Sequence, residues 1–410
     1  MMAISLYGRK ACLFILFVVC VIGCKDDPHT LRSDDNEFYY IINNRQTTNR
    51  VASIMYNKTD TANPVERFKL VHISDAHVSD WSSDNHYKYP NNLIEAVTFS
   101  NQSELKINAL AVTGDHISGA KKKSNALTFM NSFYTHLYTD SRVPTFPCYG
   151  NHDSNVENEY ISSAELAKAF NNRGNYPLQR KLGKSYFYAD VKNPMGGMIR
   201  FVALDMLDQQ YDKFNTLFEV VFSQEQVDWL CHEALQKGMT EQHSVIILTH
   251  FPFQPYGSGY LCDGGYINGW EMVPEIIEAF RSKQSVRKEY KGKNGHDIAV
   301  DVDFSTTPGD FICHLGGHAH VTAQFEVKGL SNHSPDLPLQ QMLLCTNMSP
   351  SERGTVYNSV YRFSESVTNN SFCIYAIDTI ERQIYVTFFG AYLPYTATIA
   401  EYPDIFSIAY

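Results

Sequence analysis

The sequence lacks a long apolar run, an excess of positive charge and any internal repeat. Its longest apolar run, 11–22, has about a dozen residues, whereas a membrane-spanning helix needs roughly 20. Its 34 Lys and Arg residues are outnumbered by 44 Asp and Glu residues. The net charge of -10 argues against a nucleic-acid partner, because phosphate backbones attract a basic face. Without repeats, 410 residues of 44% hydrophobic content describe an ordered globular protein.

The N-terminus has the pattern of an export signal. Basic residues at positions 9 and 10 precede the apolar run 11–22, which has the length of a secretory signal core. The segment 21–24, which ends in Cys24, resembles a bacterial lipobox, in which the cysteine is lipidated and becomes the mature N-terminus. We therefore predict that residues 1–24 are a lipoprotein signal peptide.

This signal implies a location. The residues Lys25-Asp26-Asp27 resemble the lysine-acidic export signal of bacterial surface lipoproteins. The protein is then expected to be exported and lipid-anchored to a bacterial membrane through Cys24. The outer membrane is the expected one, with the protein facing the periplasm or the cell surface. The alternatives are a signal peptide without lipidation and a short helix packed in the fold.

Cysteine usage gives no disulfide pattern. Of nine cysteines, Cys12 and Cys20 would leave with the signal peptide and Cys24 would carry the lipid. An exported location permits disulfides, but most of the rest lie in apolar, strand-like runs, where cysteine acts as a small buried hydrophobe. We assign no pairing among the six that remain: Cys148, Cys231, Cys262, Cys313, Cys345 and Cys373.

The chain divides into a tether and one domain. Residues 25–64 are polar and are predicted to be a tether, or N-terminal extension, with one strand at 39–42. Residues 65–410 are predicted to form a single domain with insertions near 155–195 and 251–310. A basic run at 281–296 is typical of a solvated loop, and the functional alternative is a phosphate-attracting rim.

Apolar periodicity predicts the elements of this domain. Helices are expected at 93–100, 123–137 and 224–236, the last with Ser223 as N-cap and Gly238 as its stop. The alternating body and the all-strand C-terminal end together predict an α/β fold, a mixed sheet sandwich flanked by helices. The expected strands are 68–74, 110–113, 144–149, 198–204, 244–249, 311–315, 340–346, 372–377 and 383–389.

Five short polar patches each close one of these apolar runs. Loops that follow rigid strands and converge on one point can build a buried two-metal site. The ligand types are nitrogen and oxygen without thiolate, which favours Mn, Fe, Co or Zn. In an extended segment, residues two apart point the same way, so the pairs in the first and last patches can both reach one cavity. The patches are Asp75-Ala76-His77, Gly114-Asp115, Gly150-Asn151-His152-Asp153, Thr249-His250 and Gly317-His318-Ala319-His320.

In type and order the five patches resemble the five motifs of the calcineurin-like metallophosphoesterase superfamily, over roughly residues 66–323. The resemblance implies a four-layer α/β/β/α sandwich with two divalent metal ions at the strand ends. The first metal would be held by Asp75, His77 and His320, and the second by Asn151, His250 and His318. Asp115 would bridge both.

The resemblance also implies a reaction. Two cations brought together by a bridging carboxylate lower the pKa of a shared water, and the resulting hydroxide attacks phosphorus in line. His152 would bind a phosphoryl oxygen or protonate the leaving alkoxide, and Asp153 would orient that imidazole. The predicted function is a phosphodiesterase or phosphatase. The alternative is a surface lipoprotein of the same fold that does not catalyse.

Three neighbouring residues refine this prediction. Purple acid phosphatases, which resemble this family, have a ligand tyrosine three residues after the bridging aspartate. Ser118 stands there, which argues against a tyrosinate-bound ferric iron. His116 is either a group behind the metal ligands or a loop histidine facing solvent, and His72 is predicted to be a core residue rather than a ligand.

Substrate recognition is expected from insertions near the metals. The loop after His250 could form an aromatic wall, or its rings could simply pack the loop. The segment 81–84 could add to the same rim. The expected partner is a phosphoester small molecule or a lipid head group, besides the membrane. The aromatic residues of the loop are Phe251, Phe253, Tyr256, Tyr260, Tyr266 and Trp270.

Overall fold

The computed structural model contains eighteen strands and six α-helices in its described parts. It describes residues 34–59, 62–77, 91–117, 119, 122–155, 159–171, 175–208, 219–253, 271–318, 323–327, 337–343, 355–357, 360–362, 371–390 and 405–410. The strands are β1 (Tyr56–Asn57), β2 (Val65–Glu66), β3 (Phe68–Ile73), β4 (Ala109–Thr113), β5 (Thr145–Cys148), β6 (Phe187–Lys192), β7 (Met198–Ala203), β8 (His243–Leu248), β9 (Ser285–Tyr290), β10 (Ile298–Asp303), β11 (Asp310–Gly316), β12 (Ala323–Val327), β13 (Leu337–Leu343), β14 (Thr355–Tyr357), β15 (Val360–Arg362), β16 (Ser371–Asp378), β17 (Gln383–Gly390) and β18 (Phe406–Ala409). The helices are α1 (Asp34–Ile54), α2 (Asn91–Ser100), α3 (Lys123–Asp140), α4 (Ser163–Asn171), α5 (Gln224–Trp229) and α6 (Met272–Ser282).

The first six-stranded sheet has the order β18-β17-β16-β3-β4-β5. Its strands β3, β4 and β5 are parallel, while β16, β17 and β18 add to it in antiparallel fashion. Every residue of β3, β4 and β5 is buried, as expected for parallel strands covered on both faces. The C-terminal strands β16, β17 and β18 therefore belong to the same sheet as β3, the strand that precedes the first motif.

The second six-stranded sheet has the order β12-β13-β11-β8-β7-β6. Its strands β7, β8, β11 and β13 are parallel, and β6 and β12 are antiparallel edges. Successive residues point to opposite faces: Phe201 and Ile246 join the core between the sheets, and Val202 and Ile247 join the core under the helices. Both faces of this sheet are therefore covered.

The two sheets pack face to face, with helices outside. The Phe201 ring of β7 stacks on Phe146 of β5 at 4.7 Å and lies 6.1 Å from Phe68 of β3. On the outer face of the first sheet, Phe99 of α2 contacts Phe372 of β16. Trp229 at the end of α5 belongs to the apolar cluster on the outer face of the second sheet. The predicted α/β/β/α sandwich is confirmed.

The other local predictions have mixed outcomes. The Ser223 hydroxyl accepts a hydrogen bond from the Gln226 amide, which confirms the N-cap. The helix expected at 224–236 begins as predicted, but it continues after α5 as a π-helical turn, Leu230–Ala234. The strand expected at 340–346 is β13, which begins at Leu337.

The prediction of a polar tether with a strand at 39–42 is wrong for the described part of that segment. Residues 34–54 form helix α1, and Tyr40 and Val51 lie in the main core. Thr47 donates a hydrogen bond to the Phe388 carbonyl of β17 at 3.1 Å. The buried positions have helical spacing, but two of them carry the polar residues Asn43 and Thr47, so the sequence conceals the apolar stripe.

The basic run at 281–296 is not the predicted loop. Half of it belongs to the end of α6 and to β9, which pairs with β10. The run is solvated, as expected, but its cations lie beside acids. Arg287 is 3.0 Å from Asp301, and Lys291 is 2.8 Å from Asp297. Because these charges are locally paired, a phosphate-attracting rim is not supported here.

The sequence also led to expectations about the role of the cysteines and about membrane-spanning helices. Cys148, Cys313 and Cys373 are buried and form no disulfide with a described cysteine, which confirms their predicted use as small hydrophobes, and Cys231 is buried as well. Cys262 and Cys345, and the whole predicted signal peptide 1–24, lie outside the described residues. In the described part of the chain, none of the helices has the length and apolarity needed to cross a bilayer.

The packing of α1 predicts unequal effects at adjacent positions. Val51 is fully buried and Ala52 is exposed. Val51→Asp should therefore lower the free energy of unfolding by about 2 kcal/mol or more, because it buries an unpaired charge. Ala52→Asp is the matched control and should change it by less than about 0.5 kcal/mol. Urea denaturation measures both; equal, small effects would show that α1 is a detached tether.

Candidate metal centre

The predicted ligands lie in loops that follow five buried strands. Asp75 and His77 follow β3, Asp115 follows β4, and Asn151 follows β5. Because these strands are parallel, their carboxyl ends meet at one edge of the first sheet. Backbone hydrogen bonds join the loops there: the Asp75 amide donates to the Gly114 carbonyl at 3.0 Å, and the His77 amide to the Asp115 carbonyl at 2.8 Å.

The second sheet contributes the remaining described ligands in the same way. His250 follows β8 and His318 follows β11, which is parallel to β8. The Gly317 amide donates to the His250 carbonyl at 2.8 Å. The His318 amide lies 3.1 Å from each oxygen of Asp75, which joins the last loop to the first across the two sheets.

One cluster of ligand atoms lies beside His77. Its Nε2 is 3.5 Å from Asp115 Oδ2 and 3.9 Å from Asp75 Oδ1. His152 Nε2 lies 4.0 Å from the same Asp115 oxygen, so that His77, Asp115 and His152 could together hold a metal ion. His320, predicted to complete this site, lies outside the described residues.

A second cluster includes the same oxygen of Asp115. His250 Nε2 is 3.1 Å from Asp115 Oδ2 and 3.1 Å from Asn151 Oδ1. His318 Nδ1 is also 3.1 Å from Asn151 Oδ1, and Asp115, His250 and His318 form a group that could hold a metal ion. Asp115 thus belongs to both clusters, which is the arrangement expected of a bridging ligand.

The orientation of His250 suits a metal ligand. Its Nδ1 lies 2.8 Å from the Thr113 carbonyl oxygen. A carbonyl only accepts hydrogen bonds, so Nδ1 carries the proton and the lone pair of a neutral ring is on Nε2, which faces Asp115. Such an outer hydrogen bond is the usual way in which proteins fix a ligand imidazole.

The donor set fits a pair of borderline divalent ions. Asp75 and Asp115 are buried carboxylates, at 0% and 1% exposure, and buried charges require partners. The neighbouring donors are imidazole nitrogens and an amide oxygen, with no thiolate among the described groups. These are ligands that Mn, Fe, Co and Zn accept.

Burial and nearby charges act in opposite directions on the ionisable groups of this cluster. Burial alone would raise the pKa of Asp115, but the nearby charges of His250, His152 and His77 hold it well below its usual value. Burial would lower the pKa of His250, but Asp115 raises it to about 9. A proton on His250 therefore occupies the place where a cation would bind.

Two glycines of the motifs are required because side chains from other loops lie very close to them. A Cβ on Gly150 would lie 2.1 Å from Asp115 Oδ1, and one on Gly114 would lie 2.5 Å from His250 Nδ1. Gly114 also has φ of +84°, which is a conformation that glycine adopts freely. A side chain at either position would displace a ligand from a different loop.

Several ligands have left-handed backbone conformations. The φ values are +56° at Asp75, +45° at His77, +50° at Asp115 and +67° at His318. Such residues typically cost about 1–3 kcal/mol each and cluster at functional sites, where the surroundings hold them. These backbone conformations thus place the ligand side chains at the site, at a cost in backbone energy.

The prediction that Asp153 orients His152 is wrong. Asp153 Oδ1 accepts hydrogen bonds from the amides of His116 and Ile117, at 2.8 and 3.2 Å, and Oδ2 accepts one from Gly150 at 2.8 Å. Its remaining described contact is with the His116 ring. The carboxylate is turned into the protein, where it ties two loops together. His152 itself remains beside Asp115, as predicted.

The two histidines whose roles were open or doubtful are both buried. His116 is not a solvent-facing loop residue; its Nδ1 lies 2.8 Å from the Tyr134 hydroxyl. His72 is a core residue, as predicted, and its ring nitrogens lie 2.8 Å from Thr113 Oγ1 and 3.3 Å from the Tyr375 hydroxyl. Ser118 lies outside the described residues.

Of the two alternatives for the loop after His250, packing of the loop holds for its first two aromatic residues. Phe251 and Phe253 are fully buried. Phe251 packs on His318 at 4.3 Å, and Phe253 stacks on His314 at 3.7 Å. Phe251 thus supports the predicted ligand His318, and Phe253 packs on a histidine of β11 in the core. Tyr256, Tyr260, Tyr266 and Trp270, and also the segment 81–84, lie outside the described residues.

Sequence reasoning missed the groups that support the ligands. The Thr249 hydroxyl lies 2.6 Å from His314 Nε2 and donates to the Phe251 carbonyl at 2.6 Å. A histidine inside the apolar run of β11 was a signal, since a buried imidazole needs a polar partner. Tyr134 of α3 gave no comparable signal, because tyrosine is common in amphipathic helices.

Comparison with known proteins agrees with this geometry. The family model for calcineurin-like phosphoesterases matches residues 68–321, which is more than half of the chain. The chain therefore belongs to the calcineurin-like phosphoesterase family.

Two relatives extend this assignment. The chain is 23% identical over 240 residues to a manganese-dependent ADP-ribose/CDP-alcohol diphosphatase from Homo sapiens. This match covers 50% of the chain and 64% of that protein, so the chain spans less than two thirds of the relative's length. A dimetal phosphatase from Danio rerio has a similar structure, with TM-score 0.50, 14% identity and coverage of 85% and 100% of the two chains. This second likeness shows the fold.

The ion pair between His250 and Asp115 predicts that metal binding releases a proton. The pKa of His250 is raised to about 9, so its protonated form is populated below pH 9 and lost above it. At pH 7 Mn²⁺ must displace about one proton from Nε2 to bind there. Calorimetric heats should therefore vary with the ionisation enthalpy of the buffer at pH 7, and much less near pH 10. Buffer-independent heats at pH 7 would contradict this protonation state.

Proposed function

We propose that this protein is a metal-dependent phosphoester hydrolase, either a phosphodiesterase or a phosphatase. The observation that carries the proposal is the position of Asp115, one buried carboxylate within ligand distance of two separate groups. One group includes His77 and the other includes Asn151 and His250. Family membership supports the same reaction class.

The positions of the residues suggest which of the two metal ions each would bind. Asp75, His77 and Asp115 would hold one ion, with His320 as a further predicted ligand. Asp115, Asn151, His250 and His318 would hold the other. When bound, two such ions supply an activated water as nucleophile and neutralise the charge that develops on the phosphoryl oxygens.

His152 is the described group best placed to handle the leaving group. Its imidazole is partly exposed, whereas His77 and His250 are buried. It packs edge-on against His77, at a ring distance of 4.7 Å, which holds it at the mouth of the site. From there Nε2 can donate a hydrogen bond to a phosphoryl oxygen or a proton to a departing alkoxide.

The name of one relative suggests which substrates to test first. The relative from Homo sapiens is named for ADP-ribose and CDP-alcohols and for manganese, which supports a phosphate-linked small molecule and Mn²⁺ as first tests. The alternative, a surface lipoprotein of this fold that does not catalyse, is less well supported because every described ligand position carries a ligand type.

The test is hydrolysis by the full-length protein loaded with Mn²⁺, Fe²⁺, Co²⁺ or Zn²⁺. We expect cleavage of p-nitrophenyl phosphate, of its bis-ester, or of both, with EDTA abolishing activity. His152→Ala should keep its metals but slow cleavage of an unactivated ester about 10²–10⁴-fold, whereas Asp115→Asn should weaken binding at both sites. A protein that binds two ions and cleaves neither ester would favour the non-catalytic alternative.

We also propose that the protein is exported and anchored to a membrane by lipid on Cys24. Support comes from the sequence alone: the basic residues at positions 9 and 10, the apolar run 11–22 and the lipobox-like segment 21–24. One acyl chain binds a membrane weakly, whereas several chains on one cysteine anchor it stably.

The anchor predicts a change in fractionation. In a bacterial host that processes lipoproteins, Cys24→Ser should move the protein from the membrane fraction to the soluble or secreted fraction. Cys148→Ser, at a buried free cysteine, is the control and should leave the distribution unchanged. Membrane retention of the Cys24→Ser protein, measured by immunoblot of the fractions, would refute the lipid anchor.

A further inference from the structure

His116 directly follows the shared ligand Asp115, but its ring points away from the metal clusters into the core. The side chain is fully buried, and the ring packs at 4.9 Å from Phe133 of α3. Its Nδ1 lies 2.8 Å from the Tyr134 hydroxyl and 3.2 Å from Asp153 Oδ2. One imidazole nitrogen thus contacts both a helix and the carboxylate that joins two metal-binding loops.

Asp153 is the link between this histidine and the metal centre. It accepts hydrogen bonds from the amides of His116 and Ile117 in the loop after β4, and from Gly150 in the loop after β5. In the opposite direction, Asp115 Oδ1 accepts a hydrogen bond from the His152 amide at 2.9 Å. Each loop is therefore held by a carboxylate from the other.

The polar contacts of His116 are concentrated at one nitrogen. Nε2 is buried without a well-formed hydrogen bond among the described residues, and the ring interacts weakly with the Val112 backbone, whereas Nδ1 has two close polar neighbours. A buried polar atom without a partner costs free energy. A phenylalanine would fill a site beside Phe133 without that cost, so packing alone does not explain the histidine. What phenylalanine cannot do is contact Asp153 and Tyr134.

We propose that His116 and Tyr134 are positioning residues of the metal centre. They hold Asp153 in the orientation that ties the two loops together, and those loops carry Asp115 and Asn151. Neither residue touches a metal or a substrate. The inference rests on the proposed two-metal function, and it assigns to helix α3 a role in setting the geometry of the ligands.

Three substitutions at one position separate this role from packing. The amide of His116→Asn reaches the place of Nδ1, whereas the amide of His116→Gln reaches the place of Nε2, which lies away from Tyr134 and Asp153. His116→Phe keeps the ring and removes both nitrogens. The full-length proteins are compared by Mn²⁺ calorimetry, by thermal melting without metal, and by kcat and KM for bis(p-nitrophenyl) phosphate.

The expected order of effects is specific. His116→Phe and His116→Gln should weaken Mn²⁺ binding about 10–100-fold, the usual effect of losing a partner behind a ligand. His116→Asn should recover most of this loss, and Tyr134→Phe should give a smaller loss in the same direction. KM should change little at saturating Mn²⁺ while kcat falls, because neither residue meets the substrate.

His243→Phe is the matched control. His243 is also a buried histidine, but it begins β8, at the end opposite His250, and contacts Thr240 Oγ1 at 2.8 Å. This variant should melt at a lower temperature and keep wild-type Mn²⁺ affinity. If the His116 variants behave like it, the positioning role is refuted. If His116→Phe does not fold, the Mn²⁺ affinity of Tyr134→Phe decides in its place. This variant removes only one oxygen atom and is therefore expected to fold.

Failure of the proposed function would be recognised separately. A wild-type protein that binds no Mn²⁺ and hydrolyses no ester overturns that function, and the positioning role with it. A wild-type protein that binds two Mn²⁺ and is active, beside His116 and Tyr134 variants with the same affinities, overturns the positioning role alone.

Discussion

The structure depends on holding the carboxylate of Asp115 in a buried position between two groups of ligands. A buried charge is costly unless charged or hydrogen-bonding groups surround it. His250, His77 and the His152 amide surround this one. They come from different strands of both sheets, so the carboxylate can be satisfied only when the sandwich is assembled. The site and the fold are therefore stabilised together.

The sandwich provides the rigidity that this arrangement needs. Stacked rings such as Phe146 and Phe201 fix one sheet against the other, and parallel strands bring the loops to one edge. Within that frame the loops adopt left-handed conformations and pass within contact distance of each other at Gly114 and Gly150. Hydrogen bonds from backbone amides to the Asp153 carboxylate then join neighbouring loops. Ligand geometry is thus set by the whole edge and not by any one motif.

Local sequence patterns were sufficient for the strands and the ligand-bearing loops, because buried strands are apolar and their ends are marked by Gly, Asp and His. They failed for α1, where Asn43 and Thr47 occupy buried helical positions. They also failed for Asp153, because the tight turn after Gly150 points adjacent side chains in different directions. The sequence also could not decide whether Phe251 and Phe253 are buried, because an aromatic residue in a loop can face either the substrate or the core. Each failure concerns tertiary contacts that no short pattern encodes.

The central claim is that Asp115 is shared by two metal ions. Anomalous diffraction from crystals of the full-length protein grown with Mn²⁺ tests it most directly. The account predicts two manganese peaks that both contact the Asp115 carboxylate, one on the side of His77 and the other on the side of His250 and Asn151. A single peak, or two peaks of which one does not contact Asp115, would contradict it.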